Sequence, residues 1–283
     1  MPTALVTDST AYLSADLVDA HGIGVVPLHV VVGGRDRREG VDIGADEVAE
    51  ALRAFRPVST SRPAPQAFLD VYRSLADGGA DSIVSVHISA DMSSTIGSAQ
   101  LAAQHSPVPV TVVDSRSMGM AMGYAVLAGA EVAARGGSVE DVAGVVQARC
   151  AAATVVFYVD TLEHLRRGGR IGKANALLGS ALAIKPILGL TDGSIVPLER
   201  VRTSSRAIAR LEDLAVEAAE RSGAESVDVA VHHLDSADRA DKLAERLRPR
   251  IHGLGDLSVV ELGAVVGAHV GPGTLAIAVR PRV

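Results

Sequence analysis

Ser82-Ile83-Val84-Ser85-Val86-His87-Ile88 runs directly into Ser89-Ala90-Asp91-Met92-Ser93-Ser94-Thr95, and Ile96-Gly97-Ser98 follows. The first seven residues are rich in β-branched side chains and have the length of a strand. The next seven are mostly small and polar, the composition of a tight corner. From Thr95 to Gln104 the apolar spacing is helical. Strand, polar corner and helix therefore succeed one another within about two dozen residues. The same texture recurs on either side. Ala4–Thr7, Val25–Val32 and Val110–Asp114 read as further strands, and Ala45–Phe55 and Pro65–Leu75 as helices. Leu5-Val6, Val30–Val32 and Val112-Val113 are continuous apolar runs of the kind covered on both faces. Such alternation predicts a parallel sheet flanked by helices, with ligands bound beyond the carboxyl ends of its strands.

Ser117–Ala134 and Val139–Ala153 are Ala-rich helical patterns divided by Gly136-Gly137, with Ser138 as N-cap and Asp141 in the first turn. The texture then changes. Val155–Val159 reads as a strand, the basic and Gly-rich Arg166–Lys173 follows, and a second α/β series begins. Its strands are Ser226–His232, Leu257–Leu262 and Leu275–Val279, and its helices are Ser204–Glu220 and Ser236–Leu247. The expected architecture is α/β in two domains. Residues 1–150 form an N-terminal parallel sheet with flanking helices, and residues 151–283 a C-terminal α/β domain.

Composition narrows the function. Of 283 residues, 48% are hydrophobic but only 2% aromatic, with no Trp, so any ligand cavity would have aliphatic walls. Stacking platforms for single-stranded nucleic acid are missing. A formal charge of −6 also argues against nucleic acid as a partner. Cys150 is the only cysteine, which excludes an internal disulfide and thiolate zinc clusters. No apolar run approaches a membrane span, and Met1 leads into a strand rather than a signal sequence, so the expected location is cytoplasmic.

Four polar clusters are candidate sites, and each has a plainer reading. Thr7-Asp8-Ser9-Thr10 ends the first strand; Asp8 is either a metal ligand or nucleophile, or a turn and helix cap. Ser59-Thr60-Ser61-Arg62-Pro63-Ala64-Pro65 is a proline-stiffened loop whose hydroxyls face a crevice, or a turn before a helix. The Ser89–Thr95 corner offers hydroxyls and free amides to an anion, or caps the following helix. His269-Val270-Gly271-Pro272-Gly273 holds a histidine in a rigid turn, for function or for structure. His232-His233 is a poor metal pair, because neighbours on a strand face opposite sides. The basic turn Leu165-Arg166-Arg167-Gly168-Gly169-Arg170-Ile171-Gly172-Lys173, with Arg200 and Arg202, suits a phosphate or an acidic partner, or simply solvent.

Taken together, these clusters resemble the DegV family over essentially the whole chain. The family's V-T-D-S-T-A opening is matched by Val6–Ala11, its V-P-L by Val26–Leu28, and its G-V-D by Gly40–Asp42. Its T-S-Q-P is similar to Thr60–Pro63, and its S-S-x-x-S-G-T-x-x-S corner to Ser89–Ser98. L-x-x-G-G-R-I is intact at Leu165–Ile171, and H-x-G-P-G at His269–Gly273. The chain departs from the pattern at Arg62, Ser94 and Ile96.

The resemblance implies a two-domain α/β fold with an acyl tunnel between or beneath the domains, holding a long-chain fatty acid such as palmitate and no cofactor. It implies a carboxylate held by Thr60 and Ser93, beside Ser61 and Ser94, with His269 near the head group. It also implies presentation of the lipid to a separate ATP-dependent fatty acid kinase, for which Arg170 and Arg202 are the candidate partner or phosphate contacts. The chain itself has no P-loop, which fits a binding subunit rather than an enzyme. The competing reading is a serine hydrolase of acyl esters, with Ser93, His269 and Asp8 as triad, or a small-molecule phosphotransferase. The G-x-S-x-G elbow expected of such a hydrolase is absent around Ser93.

Overall fold

The computed structural model describes residues 2–177 and 184–282. They form two compact units, Met1–His29 with Ser61–Ala151 and Val30–Thr60 with Ala152–Val283.

The first unit opens with β1 (Thr3–Asp8), α1 (Ala15–His21) and β2 (Gly24–Val26). The chain then passes through β3 (His29–Val32), β4 (Arg35–Arg38), α2 (Ala45–Arg53) and β5 (Val58–Ser61), which form the excursion into the second unit. It returns for α3 (Pro65–Asp77), β6 (Ser82–His87), α4 (Thr95–Ala103), β7 (Val110–Asp114), α5 (Met120–Ala134) and α6 (Val139–Ala152). Among the described residues, the sheet is fully parallel in the order β2-β1-β6-β7. Its strands are covered on both faces, which explains their unbroken apolar runs. Leu5, Val84 and Val86 pack with Met122, Val126, Val142 and Val146. Val6, Val26 and Ile83 pack on the other side with Phe68, Leu69, Tyr72 and Ala99.

The second unit continues with β8 (Thr154–Tyr158), α7 (Glu163–Arg167), β9 (Lys185–Thr191), β10 (Ser194–Val201) and α8 (Ser204–Arg221). It ends with β11 (Ser226–His233), α9 (Ala237–Leu247), β12 (Leu254–Glu261), α10 (Ala264–Val270) and β13 (Leu275–Arg282). The larger sheet runs β10-β9-β8-β13-β11-β12, and among the described residues only its β11–β12 pair is parallel. Leu211, Ala215 and Ala218 of α8 and Leu243 and Leu247 of α9 pack on Val229, Val231 and Ile277. A smaller sheet, β4-β3-β5, is built from the excursion.

Two features differ from the sequence reading. Val25–Val32 is not one strand. Pro27, with no N–H to donate, interrupts it, and the Leu28 amide turns to the Ser9 hydroxyl instead, at 3.0 Å. The two halves enter different sheets. The division of units also differs from a contiguous 1–150 and 151–283. Residues 30–60 group with the later chain, because α2 packs on α10 and Glu39 reaches the first turn of α10.

Candidate functional site

The centre of the site lies within the second unit and is set by where α10 begins and ends. Its N-cap, Gly263, makes no side-chain capping bond. Instead Glu39, only 5% exposed, accepts the Val265 amide at 2.8 Å. A buried carboxylate on a first-turn amide satisfies one otherwise orphaned donor. The helix stops at Val270 because Gly271 takes φ +79, a conformation that favours glycine. His269 therefore sits in the last turn. Its Nε2 lies 2.8 Å from Thr60 Oγ1, near the end of β5.

Close approaches explain why glycines crowd two of the motifs. Gly168 has an ordinary helical conformation, φ −74, so its backbone would accept any residue. A Cβ there, however, would stand 2.0 Å from His269 Nδ1. Reciprocally, a Cβ on Gly271 would stand 2.2 Å from His164 Cδ2, and one on Gly273 2.0 Å from Asp160 Oδ2. Each motif thus supplies glycines against the other motif or its immediate neighbourhood.

Thr60, His164, Gly168, Arg170 and His269 line a cavity of about 470 Å³, with Arg56 and Arg167 adding charge and Leu52, Phe55 and Val58 adding apolar wall. Arg170 does not simply face solvent, the plainer reading of its basic turn. It is half-buried, and its Nη1 donates to the Gly168 carbonyl at 2.8 Å. Arg202 lies exposed in the turn before α8 and outside the cavity lining. Phe55 follows α2 at φ +53 and is 86% exposed. It holds the position after a helix where glycine is usual, with the Arg56 amide bonded back to the Ala51 carbonyl at 2.9 Å.

Burial and neighbouring arginines favour the neutral form of this cavity's histidines. Burial, and then the positive charge of Arg170, pull His269 down to about 4. Burial, and then Arg167, also lower His164. His269 Nδ1 is buried with no hydrogen-bond partner among the described residues. The resulting surface is rich in donors and net basic, suited to an anionic head group.

Ser61, Ser93 and Ser94 are grouped with the first unit. Ser61 is exposed at the end of β5. Ser93 is half-buried, its Oγ 2.8 Å from Thr95 Oγ1, and its amide donates to the Ser89 carbonyl. Ser94 is the N-cap of α4, exposed and without a side-chain capping bond, so its hydroxyl is not engaged in holding the helix.

Asp8 belongs to a network that sequence reasoning missed. Its Oδ1 accepts from the Thr10 amide at 3.0 Å, as the turn reading expects. Its Oδ2 accepts the Ile88 amide at 3.0 Å and faces His87 Nδ1 at 3.1 Å. His87 Nε2 meets Ser85 Oγ at 2.7 Å, and Ser85 meets the Tyr72 hydroxyl at 2.9 Å. All four side chains are fully buried. The pairing of Thr7 with Val86 places Asp8 beside His87, and Ser85 shares a strand face with His87, so parallel register carried the signal. This arrangement corrects the Ser93–His269–Asp8 triad: Asp8 is engaged by His87, and His269 Nδ1 faces Gly168. Among the described residues, no group of three His, Cys, Asp or Glu side chains could hold a metal ion, and no helix is long and apolar enough to cross a membrane.

Comparison with known proteins adds a frame to this geometry. A family model described as "Uncharacterised protein, DegV family" matches residues 2–282. A DegV domain-containing protein of Streptomyces coelicolor is 54% identical over 279 residues, covering 99% of this chain and 98% of that protein. Among solved structures, a DegV family protein from Thermus thermophilus, described for its fatty acid binding, superposes with a TM-score of 0.93 at 35% identity over 100% of both chains. DegV from Bacillus subtilis, described as a fatty acid binding protein, gives 0.90 at 32% identity, again over 100% of both.

Proposed function

Because the chain belongs to the DegV family, we propose that it binds one long-chain fatty acid as the carboxylate and does not transform it. The observation that carries this reading is the Thr60–His269 pair, a hydroxyl held at 2.8 Å by a neutral imidazole beside Arg170. Thr60 and Ser93 donate to the carboxylate, with Ser61 and Ser94 beside them, and His269 supports Thr60 rather than acting as a general base. The fatty acid binding described for two solved relatives supports the same class of ligand here.

The tail lies in a tunnel walled by the Ala, Val, Leu and Ile side chains that dominate the composition. At ~0.8 kcal/mol per buried CH₂, a palmitoyl chain contributes roughly 10 kcal/mol of gross stabilisation, so an aliphatic wall suffices without specific contacts. The protein acts in the cytoplasm and presents the bound acid to a separate ATP-dependent kinase, which forms the acyl phosphate. Arg170 faces the anion from the cavity wall, and Arg202, exposed nearby in sequence to α8, meets the partner.

Solvent extraction of the purified protein followed by mass spectrometry should recover fatty acid at close to one per chain. Thr60→Val and Ser93→Ala should each weaken palmitate binding by roughly 10- to 100-fold, the worth of a hydrogen bond to a charged acceptor. Unchanged affinity in both variants would overturn the site assignment, and steady hydrolysis of a long-chain acyl ester would overturn the binding role.

A further inference from the structure

We infer that Gly168 is a positioning residue: by pressing against His269 Nδ1 it fixes the imidazole as its Nε2–H tautomer and so keeps Thr60 a hydrogen-bond donor towards the cavity. The consequence for ligand choice rests on the fatty-acid reading above; the tautomer itself does not.

A neutral imidazole has one N–H and one lone pair, and the partner of each nitrogen decides which is which. Here Nε2 has Thr60 Oγ1 at 2.8 Å, and Nδ1 has no polar partner among the described residues. What stands against Nδ1 is the bare Cα of Gly168, so close that a Cβ would be 2.0 Å away. With the proton on Nδ1, a buried N–H would point at a CH₂ group and remain unsatisfied. With the proton on Nε2, the Nδ1 lone pair faces that CH₂, a contact that weak C–H donors tolerate. Orphaned buried N–H groups are rarer in proteins than under-used acceptors, and leaving one unmade forfeits its full solvation. Protonation of both nitrogens is opposed by burial and by Arg170.

The close approach of the His269 ring, and not the backbone conformation, is what calls for a glycine at Gly168. Its φ of −74 needs no glycine, unlike Gly169 at φ +69. Arg170 holds it in place through its carbonyl, at 2.8 Å. On the opposite side of the ring, Thr60 Oγ1 accepts from Nε2–H, so its own proton must be donated elsewhere. Thr60 then joins Arg170, Arg56 and Arg167 in presenting a donor to the cavity. A head group that only accepts, a carboxylate, satisfies that set. An alcohol brings a proton of its own and no charge.

The test is long-range ¹H–¹⁵N correlation of the histidine side chains in ¹⁵N-labelled, delipidated protein at pH 7, with His269 assigned by its loss in His269→Gln. The expected spectrum shows a neutral ring protonated on Nε2; protonation on Nδ1, or on both nitrogens, overturns the proposal. Binding of laurate and of 1-dodecanol then reads the consequence. Wild type should prefer laurate by at least tenfold. Gly168→Ala should shift the tautomer signature and reduce that preference severalfold, and a variant that keeps both overturns the role of Gly168. Should Gly168→Ala not fold, Thr60→Val decides the donor assignment: laurate affinity should fall at least tenfold and dodecanol affinity less than twofold, and an equal fall for both refutes it. Failure of wild type to bind laurate would refute the fatty-acid reading while leaving the tautomer result standing.

Discussion

Acidification from pH 7.5 to 4.5 should cost the second unit several kcal/mol of stability, and two buried histidines carry the larger part. His232 is 3% exposed on β11, and burial followed by repulsion from His233 pulls it to about 4 from its ordinary 6.5. His269 is drawn to about 4 from the same value by burial and Arg170. In the unfolded chain each ring takes a proton below pH 6.5, whereas in the folded unit each stays neutral down to about pH 4. Between those limits the unfolded state holds one more proton per histidine, so stability falls as pH falls. It is fully present above the unfolded value and exhausted near the folded one. At ~1.4 kcal/mol per pH unit for each proton, the pair gives a slope of roughly 3 kcal/mol per unit and a loss of about 5 kcal/mol by pH 4.5. That is comparable to the whole stability of an ordinary domain, about 5–15 kcal/mol. Asp228 acts in a different window. Burial pushes its carboxyl up, but hydrogen bonds from Arg282, the Asp256 amide and Arg280 prevail and hold it below its ordinary 3.8, so its contribution is lost only under about pH 4. Urea unfolding at half-unit pH intervals measures the slope, and His232→Gln should roughly halve it. A slope equivalent to less than one proton, or one unaffected by both His232→Gln and His269→Gln, would refute this account.

Glu39→Ala should lower stability by about 1.5–3 kcal/mol, the worth of a charged hydrogen bond to the Val265 amide, while Glu39→Gln, which keeps an acceptor oxygen, should recover part of it in urea titrations. Phe55→Gly should raise the melting temperature slightly, by relieving a left-handed conformation worth about 0.5–1 kcal/mol at an exposed position. Burial, and then the negative charge of Asp114, push the Cys150 thiol up to about 12, so Ellman's reagent should label it only on unfolding; equal rates in native buffer and in urea would contradict its burial.

What could be read from sequence was what local pattern encodes. Val110–Asp114 was legible because its length and β-branching make a strand in any context, and the observed strand has the same bounds. The helices read from Pro65 and from Ser204 begin at those residues in the structure, as α3 and α8. The hairpin of β9 and β10 was missed although it carried a sign: Asp192-Gly193, both at positive φ, is a preferred two-residue hairpin turn. Less legible was anything requiring a partner far along the chain. Thr60 and His269 stand 209 residues apart, so their hydrogen bond has no local signature. Glu39 looks like a surface residue until the α10 amide it accepts from is known. The motif containing Gly168 could be matched as a pattern, but the reason for that glycine appears only when the His269 ring is set against it.

The excursion of residues 30–60 has a consequence for the order in which the chain is made. The helix it packs against, α10, begins at residue 264, about 200 residues later. At ribosomal speeds of ~5–20 residues per second, the excursion waits roughly 10–40 s before it can dock. Val30, Ile43, Val48 and Ala49, all buried in the finished protein, are without their final cover for that time. Two chain crossings, at residues 29–30 and 60–61, tether the waiting segment to a first unit that is itself unfinished until residue 151. Nascent chains stalled between residues 151 and 264 should therefore bind chaperones through this segment, and those released after α10 emerges should not.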